Sequence, residues 1–164
     1  MNVLVADDDE FTRALLERHL QRWGFGTVHA RTGIEALERL QDGTVRLAIV
    51  DWSMPGMDGD EVCRRVREKD ERNPPYIIIL TGRNLKEDIV AGLKAGANDF
   101  VTKPFDENEL YARLQVGERV VRLQSVLADQ IAKLEDALAH IKTLQGILPI
   151  CVHCHRIRSD QESW

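Results

Sequence analysis

The sequence has no apolar run of the about 18 residues that a membrane-spanning helix needs. Its N-terminus also lacks the basic-then-apolar pattern of a secretory signal. The three cysteines are odd in number and too few for a disulfide framework. A net charge of −5 argues against a general nucleic-acid-binding surface. The expectation is a cytoplasmic protein with neither a membrane nor a direct nucleic-acid partner.

Residues 1–105 alternate short apolar runs with amphipathic stretches of helical length. The predicted strands are 2–6, 26–30, 47–50, 76–80 and 99–102, and the predicted helices are 10–22, 33–41, 59–69 and 85–95. Parallel strands need crossover connections, which are usually helices that cover both faces of the sheet. The pattern therefore predicts the α/β class, with a doubly wound five-stranded parallel sheet.

Asp51 directly follows the apolar run 47–50, although strand interiors avoid aspartate. Open α/β sheets bind ligands beyond the carboxyl ends of their strands. The apolar run 2–6 also ends in carboxylates, Asp7 and Asp8. If the two strands are neighbours, these carboxylates converge, and their repulsion favours a bound Mg²⁺ or Ca²⁺. The alternative is that the acidic residues after 2–6 only cap the following helix.

Further polar residues follow the later predicted strands. Thr81 comes after 76–80, and Lys103 comes after 99–102 and before Pro104, a candidate for a cis peptide bond. Each has an ordinary structural explanation when taken alone. A hydroxyl, an ammonium and a carboxylate cluster at successive strand ends are together the groups that position a phosphoryl group and stabilise its charge.

After Pro104 the alternation of strands and helices gives way to one long helical pattern. Residues 106–146 contain no proline, and Asp106 and Glu109 form a capping-box pattern. Apolar residues then recur at steps of mostly three and four: Val116, Val120, Leu123, Leu127, Ile131, Leu134, Leu138 and Ile141. A helix over 106–146 would be about 60 Å long, which is longer than the dimensions of a domain of this size. We expect its distal stripe to pair with a second copy as a coiled coil; the alternative is a last helix that folds back.

Residues 1 to about 120 resemble the receiver domain of two-component response regulators, the family that includes the chemotaxis regulators. The matching motifs are Val5-Ala6-Asp7-Asp8-Asp9, Asp51-Trp52-Ser53-Met54-Pro55-Gly56-Met57-Asp58-Gly59, Leu80-Thr81-Gly82 and Phe100-Val101-Thr102-Lys103-Pro104-Phe105. The resemblance implies a flavodoxin-like sheet of strand order 2-1-3-4-5. It also implies a signalling protein that catalyses only its own phosphorylation and dephosphorylation.

The resemblance implies a chemistry for the carboxylates. Asp51 would accept a phosphoryl group from a histidine kinase or a phosphotransfer protein, forming an acyl phosphate. Asp8, Asp51 and the main-chain carbonyl of Ser53 would bind Mg²⁺, and Asp7 would orient a water ligand. Ser53 and Arg83 would occupy positions that influence how fast the phosphoryl group is hydrolysed.

The resemblance also implies a switch. Thr81 and Lys103 would bind the phosphoryl oxygens, and Thr81 would shift towards them on phosphorylation. Phe100 would be the aromatic side chain that turns inward as Thr81 moves. Many relatives carry a tyrosine at this position, so a contact that needs the tyrosine hydroxyl is not expected here.

The predicted organisation is a receiver domain over 1–120, a long helix over 106–146 that continues from it, and a tail over 147–164. The tail contains Cys151, His153, Cys154 and His155, which resemble half of a zinc knuckle. Two more ligands would be needed for a tetrahedral Zn²⁺ site, from a second chain or a longer protein. The alternative is a disordered end with two free thiols.

Three other functions are weighed against the phospho-accepting switch. A phosphatase of the haloacid-dehalogenase type also uses an aspartate nucleophile and Mg²⁺, but it needs a second aspartate where Ser53 stands. A coiled-coil scaffold insensitive to phosphorylation is disfavoured because Asp8, Asp51, Thr81 and Lys103 are all present. The chain could also be the N-terminal part of a larger signalling protein with a separate output domain.

Overall fold

The structure is a computed structural model that describes residues 1–69, 73–82, 90 and 92–147, with the main chain alone over 141–147. The strands are β1 (Asn2–Ala6), β2 (Gly26–Ala30), β3 (Leu47–Asp51), β4 (Tyr76–Thr81) and β5 (Asp99–Thr102). The helices are α1 (Glu10–Arg22), α2 (Gly33–Gln41), α3 (Gly59–Glu68) and α4 (Glu107–Ile147). Most of the predicted helix 85–95 lies outside the described residues, apart from a helical turn at 92–94.

The observed boundaries differ from the predicted ones by single residues. β3 and β4 each extend one residue further than predicted, because the parallel ladder continues through Asp51, which pairs with Leu80, and through Thr81, which pairs with Thr102. α3 ends at Glu68, one residue earlier than predicted. The two polar side chains that were expected just beyond these strands are therefore the last residues of the strands themselves.

All five strands are parallel, in the order β2-β1-β3-β4-β5. This confirms the predicted fold class and strand order. β1 and β3 are neighbours, with Ala6 paired to Val50. Asp7, which follows β1, and Asp51, which ends β3, are therefore held at the same edge of the sheet by main-chain hydrogen bonds.

Alternate residues of the strands enter two hydrophobic cores, one on each face of the sheet. On one face, Leu4, Ala48 and Ile77 pack with residues of α2 and α3. On the other face, residues of α1 and of the first part of α4 complete the core, whose fully buried large side chains include Leu16, Leu20, Leu47, Ile49, Ile78, Leu80, Leu110 and Leu114. Burial of the sheet on both faces explains the continuous apolar runs in the sequence.

Both helices that flank the site edge begin with a side-chain cap. Asp9 caps α1 by accepting the N–H of Thr12 at 2.9 Å. Asp106 caps α4 by accepting the N–H groups of Asn108 and Glu109 at 2.9 and 3.0 Å. These caps satisfy amide groups that a helix start leaves without an intrahelical partner, and they fix where each helix begins relative to the strand before it.

α4 is a continuous helix of 41 residues. Its first part contributes Leu110, Leu114 and Val121 to a core. By contacts, the chain divides into two units, Met1–Ser125 and Val126–Trp164. In the second unit the described side chains of α4 are exposed or partly exposed, and its large apolar residues form a stripe at Leu127, Ile131, Leu134 and Leu138. The described residues contain no helix with the length and apolar character to cross a membrane.

Candidate functional site

Three carboxylates lie together at the carboxyl edge of the sheet. One oxygen each of Asp7, Asp8 and Asp51 can be chosen so that all three lie within 4.8 Å of one another. Asp7 is 1% exposed and Asp51 is 7% exposed, whereas Asp8 faces solvent. Burying like charges this close together raises the free energy of the folded state unless a cation is bound. Stability therefore does not explain the cluster, and a function is the more natural reason for it.

Main-chain hydrogen bonds fix the loop that follows Asp51. The N–H of Trp52 donates to the carbonyl of Leu80 at 2.8 Å, and the N–H of Gly59 donates to the carbonyl of Trp52 at 2.8 Å. The N–H of Ser53 donates to Oδ2 of Asp51 at 3.1 Å and so orients the carboxylate. A side chain at Gly59 would collide with the main-chain oxygen of Asp51, which explains the glycine there.

Lys103 brings a positive charge to the cluster. Its Nζ lies 2.7 Å from Oδ2 of Asp7 and also forms an ion pair with Asp51. The N–H of Lys103 donates to the carbonyl of Thr81 at 2.7 Å. The Lys103–Pro104 peptide bond is cis, as the sequence suggested. The ammonium thus joins β5 to the carboxylates that follow β1 and end β3.

The local environment shifts the pKa values of Asp51 and Lys103. Burial raises the pKa of Asp51, and the charge of Asp7 adds to this, against the opposing effect of the Lys103 ammonium. Burial would lower the pKa of Lys103, but its hydrogen bonds to Asp51 and Asp7 outweigh burial and raise that pKa. Lys103 is therefore a cation at neutral pH and partly compensates the carboxylates.

An open cavity of about 290 Å³ gives access to Asp51. Its walls come from Asp51, Trp52, Ser53, Thr81, Gly82 and Lys103. Ser53 is exposed, while Thr81 is 1% exposed. The cavity therefore brings four of the predicted site residues together, with the carboxylate of Asp51 accessible from solvent and a hydroxyl and an ammonium at its sides.

Phe100 lies on β5 beside this site and is half-buried. The guanidinium carbon of Arg113, on α4, is 5.7 Å from the centre of its ring, within the range of a cation–π contact. Arg113 is itself held by Asp99 at 2.6 Å and by Glu109 at 2.7 Å. Phe100 also lines a small apolar space together with Trp52, Ile79, Thr81, Gly92, Leu93 and Ala97. Phe100 thus contacts a charged residue of α4 and shares a cavity lining with Thr81.

Arg13 is a residue of the site that the sequence interpretation missed. It lies on α1 and is 7% exposed, on the same helix face as the core residues Leu16 and Leu20. Its Nη1 donates to the main-chain carbonyls of Asp7 and Asp8 at 2.7 and 2.9 Å. The signal was the order Arg13, Leu16 and Leu20 in steps of three and then four residues, which places the arginine on the buried face of the helix.

The donor atoms of the cluster fit a hard divalent cation. Asp7, Asp8 and Asp51 offer carboxylate oxygens, the ligands that Mg²⁺ prefers, and Asp8 leaves one side open to water ligands. The fit supports the predicted Mg²⁺ cluster at the level of residue types. The predicted Zn²⁺ ligands Cys151, His153, Cys154 and His155, together with Arg83, lie outside the described residues.

Comparison with known proteins identifies the family. The family described as "Response regulator receiver domain" matches residues 3–115. The chain belongs to this family, so it contains the receiver domain of a two-component response regulator. The family assignment agrees with the fold and with the carboxylate cluster at the end of β1 and β3.

Individual relatives are similar over the same region. The chain is 41% identical over 113 residues to the phosphate regulon transcriptional regulatory protein PhoB of Rhizobium meliloti, covering 69% of this chain and 50% of PhoB. It is 38% identical over 133 residues to the response regulator MprA of Mycobacterium ulcerans, covering 80% of this chain and 56% of MprA. The chain thus spans about half the length of the curated relatives it matches.

Comparison with solved structures also finds proteins of the receiver fold. The chemotaxis protein CheY4 of Vibrio cholerae superposes with a TM-score of 0.64 at 31% identity, covering 71% of this chain and 97% of that one. The receiver domain of Ssk1 from Saccharomyces cerevisiae, solved with the histidine phosphotransfer protein Ypd1, superposes with a TM-score of 0.67 at 26% identity, covering 71% of this chain and 88% of that one. In that complex the receiver domain of Ssk1 is bound to a phosphotransfer protein.

Proposed function

We propose that this receiver domain accepts a phosphoryl group on Asp51 from the phosphohistidine of a sensor histidine kinase or phosphotransfer protein, in a Mg²⁺-dependent reaction. One observation carries the proposal. The carboxylate of Asp51 faces an open cavity and pairs with Lys103, while Asp7 and Asp8 converge on it. A nucleophile, a cation site and a phosphate-binding ammonium are thus within reach of one another.

In this reaction a carboxylate oxygen of Asp51 forms a bond to phosphorus while the bond from phosphorus to the donor imidazole nitrogen breaks. The bonding electrons leave with the imidazole nitrogen, and the product at Asp51 is an acyl phosphate. A bound Mg²⁺ would neutralise charge on the phosphoryl oxygens. Ser53 holds the Asp51 carboxylate through its N–H, and Lys103 and Thr81, which line the same cavity, would bind those oxygens.

A donor protein also needs a docking surface next to Asp51. Phe11, in the first turn of α1, is 75% exposed. A neighbouring cavity of about 390 Å³ is lined by Thr12, Leu15, His19, Lys103, Pro104, Phe105, Asp106 and Glu107. An exposed aromatic residue beside a groove that includes Lys103 supports docking of the phosphodonor on this face. The Ypd1–Ssk1 complex supports a donor of this chemical class.

Phosphorylation would then act as a switch. A phosphoryl group at Asp51 attracts Thr81 and Lys103, and Phe100 turns into the space near Thr81. That turn separates the Phe100 ring from Arg113, which lies on α4. The output would be a change in how α4 pairs, since a small shift at a site becomes large only through an element with two arrangements.

We further propose that α4 pairs with a second copy of the chain. Leu127, Leu134 and Leu138 are 61, 64 and 58% exposed, and they recur at helical spacing with Ile131. Burying a leucine is worth roughly 1.5–3 kcal/mol, so an uncovered stripe of four is unfavourable in water. The residues between them are polar or alanine, which is typical of a coiled-coil surface.

The proposed domain organisation is a receiver domain over 1–120, the helix over 106–146 and the tail over 147–164. The competing function is a scaffold that pairs through α4 irrespective of phosphorylation, and the apolar stripe alone would serve it. A further possibility is an output domain elsewhere in a longer protein, because the matched region makes up only about half of the relatives' length.

The test is the intact mass of the chain after incubation with Mg²⁺ and acetyl phosphate. We expect one added phosphate in the wild-type chain and none in Asp51→Asn. Asp58→Asn is the matched control, because Asp58 is exposed and makes no side-chain cap bond at the start of α3. Equal labelling of Asp51→Asn and Asp58→Asn would contradict the proposal, and an unlabelled wild-type chain would leave only the scaffold.

A further inference from the structure

Arg13 is a buried charged side chain on a helix face that is otherwise apolar. It occupies the same face of α1 as Leu16 and Leu20, both 0% exposed. Burying a guanidinium is costly unless its N–H groups find acceptors, and an arginine stays protonated in proteins. The described partners of Arg13 are two main-chain carbonyls rather than a carboxylate. Its position therefore depends on the segment that carries those carbonyls.

The two carbonyls belong to the two acidic residues that follow β1. One nitrogen, Nη1 of Arg13, donates at 2.7 Å to the carbonyl oxygen of Asp7 and at 2.9 Å to that of Asp8. Two successive carbonyls can meet one nitrogen only if the chain bends at these residues. The bend is also held by Oδ1 of Asp7, which accepts the N–H of Asp9 at 2.9 Å. The directions of the Asp7 and Asp8 side chains are thus set by this bend.

We propose that Arg13 is a positioning residue for the cation site: it fixes the main chain of Asp7 and Asp8 so that their carboxylates converge with that of Asp51. The inference rests on the proposed Mg²⁺-dependent chemistry at Asp51. Arg13 does not contact the reacting atoms. It acts through the two carbonyls, as residues that support metal ligands commonly do.

Whether the removal of Arg13 weakens or strengthens Mg²⁺ binding distinguishes a positioning role from a purely electrostatic effect of its charge. A positive charge close to a cation site repels the cation, so removing Arg13 would tighten Mg²⁺ binding if charge were its only contribution. If Arg13 positions the ligands, its removal weakens Mg²⁺ binding instead. A purely structural role lowers the stability of the fold and leaves Mg²⁺ affinity unchanged.

The chain provides a matched control. Arg67, on α3, donates to the carbonyl of Gly96 at 2.9 Å and to the side-chain oxygen of Asn98 at 2.7 Å. It therefore also ties a helix to a loop, and these partners are not among the residues of the carboxylate cluster. Arg67→Met removes an arginine clamp of the same kind without touching the segment from Asp7 to Asp9.

The experiment is calorimetric titration of the full chain with Mg²⁺, with urea unfolding in parallel. We expect Arg13→Met to bind Mg²⁺ about tenfold more weakly than wild type, in the range found when supports of metal ligands are removed. Arg67→Met should keep wild-type affinity. At saturating Mg²⁺ the labelling of Arg13→Met by acetyl phosphate should return close to the wild-type rate, because Arg13 is not a reacting group. Unchanged or tighter Mg²⁺ binding by Arg13→Met would overturn the inference.

Arg13→Lys decides the matter if Arg13→Met does not fold. The lysine side chain keeps the charge, but its nitrogen is one atom short of the position of Nη1. We expect a severalfold loss of Mg²⁺ affinity, and affinity equal to wild type would overturn the inference. A wild-type chain that binds no Mg²⁺ would overturn the proposed function together with this inference. Wild-type binding with no effect of either substitution would overturn the inference alone.

Discussion

Nζ of Lys103 lies 2.7 Å from Oδ2 of Asp7 and pairs at the same time with Asp51. One ammonium therefore compensates two buried carboxylates at the edge of the sheet. Its hydrogen bonds to Asp51 and Asp7 raise the pKa of Lys103 although burial opposes this, so the ammonium stays charged. A divalent cation that binds the same carboxylates must compete with this contact.

Replacing Lys103 should separate cation binding from phosphorylation. Lys103→Met should bind Mg²⁺ about fivefold more tightly, because roughly 1 kcal/mol of competing ion pairing is removed. Its labelling by acetyl phosphate should nevertheless be slower than that of wild type, because a donor to the phosphoryl oxygens is lost. Titration calorimetry and intact-mass kinetics measure the two effects.

The control for this pair of measurements is Lys94→Met, since Lys94 is an exposed lysine in the helical turn 92–94. It should leave both the Mg²⁺ affinity and the labelling rate unchanged. Weaker Mg²⁺ binding by Lys103→Met would show that Lys103 supports the cation site instead of competing for it.

The contact between Arg113 and Phe100 gives a prediction for the switch. If phosphorylation requires the ring to leave Arg113, then Arg113→Met should raise the rate of labelling at Asp51. An exposed cation–π contact is worth about 0.5–1 kcal/mol, so we expect a two- to fivefold increase. Arg122→Met is the control, because Arg122 also pairs with a glutamate four residues earlier. Equal labelling rates in Arg113→Met and Arg122→Met would show that the contact between Arg113 and Phe100 does not oppose phosphorylation.

Cys63 predicts a dependence of stability on pH. Burial raises the pKa of its thiol from 9.0 to about 12. The folded chain therefore holds this proton when the unfolded chain has lost it, so stability falls as pH rises between about 9 and about 12. The slope from this group approaches about 1.4 kcal/mol per pH unit at most.

Urea unfolding of wild type and Cys63→Ala at pH values from 7 to about 10 measures this contribution. At pH 7 we expect Cys63→Ala to be less stable by about 1 kcal/mol, because a buried side chain becomes smaller. That gap should narrow as pH rises above 9.0, the ordinary pKa of the thiol. A gap that stays constant with pH would show that the thiol of Cys63 ionises equally in both states.

The apolar stripe of α4 predicts a dimer. Leu134→Gln should weaken self-association of the full chain at least tenfold, because each copy loses a leucine worth roughly 1.5–3 kcal/mol on burial. Lys133→Gln changes the exposed residue next to it and should not affect association. Sedimentation over a range of protein concentrations measures both. A wild-type chain that is monomeric throughout would rule out pairing through α4.

The sequence was sufficient for the strands and for their parallel sheet, because these depend on local apolar runs and on where they end. The convergence of Asp7 and Asp51 also needed β1 and β3 to be neighbours, which the resemblance implied. The sequence was also sufficient for the cis bond before Pro104 and for the cap at Asp106. The cis bond and the cap each depend on residues only a few positions apart, so local sequence patterns predict them.

The sequence was not sufficient for contacts between distant residues. The ion pair of Lys103 with Asp7 joins residues 96 positions apart, and the pairing of Arg113 with Asp99 depends on how α4 packs against β5. Arg13 was missed because an isolated arginine in a helix is usually solvated, although its spacing with Leu16 and Leu20 places it on the buried face of α1. Such contacts are set by tertiary packing.

The position of the phosphoryl group decides whether Asp51 is the phosphoryl acceptor. After labelling with acetyl phosphate and Mg²⁺, reduction with borohydride converts an aspartyl phosphate to homoserine, which peptide mass analysis can locate. We predict homoserine at position 51 and unmodified aspartate at positions 7 and 8. Homoserine at another aspartate, or a phosphate that resists borohydride, would contradict the assignment of Asp51 as the phosphoryl acceptor.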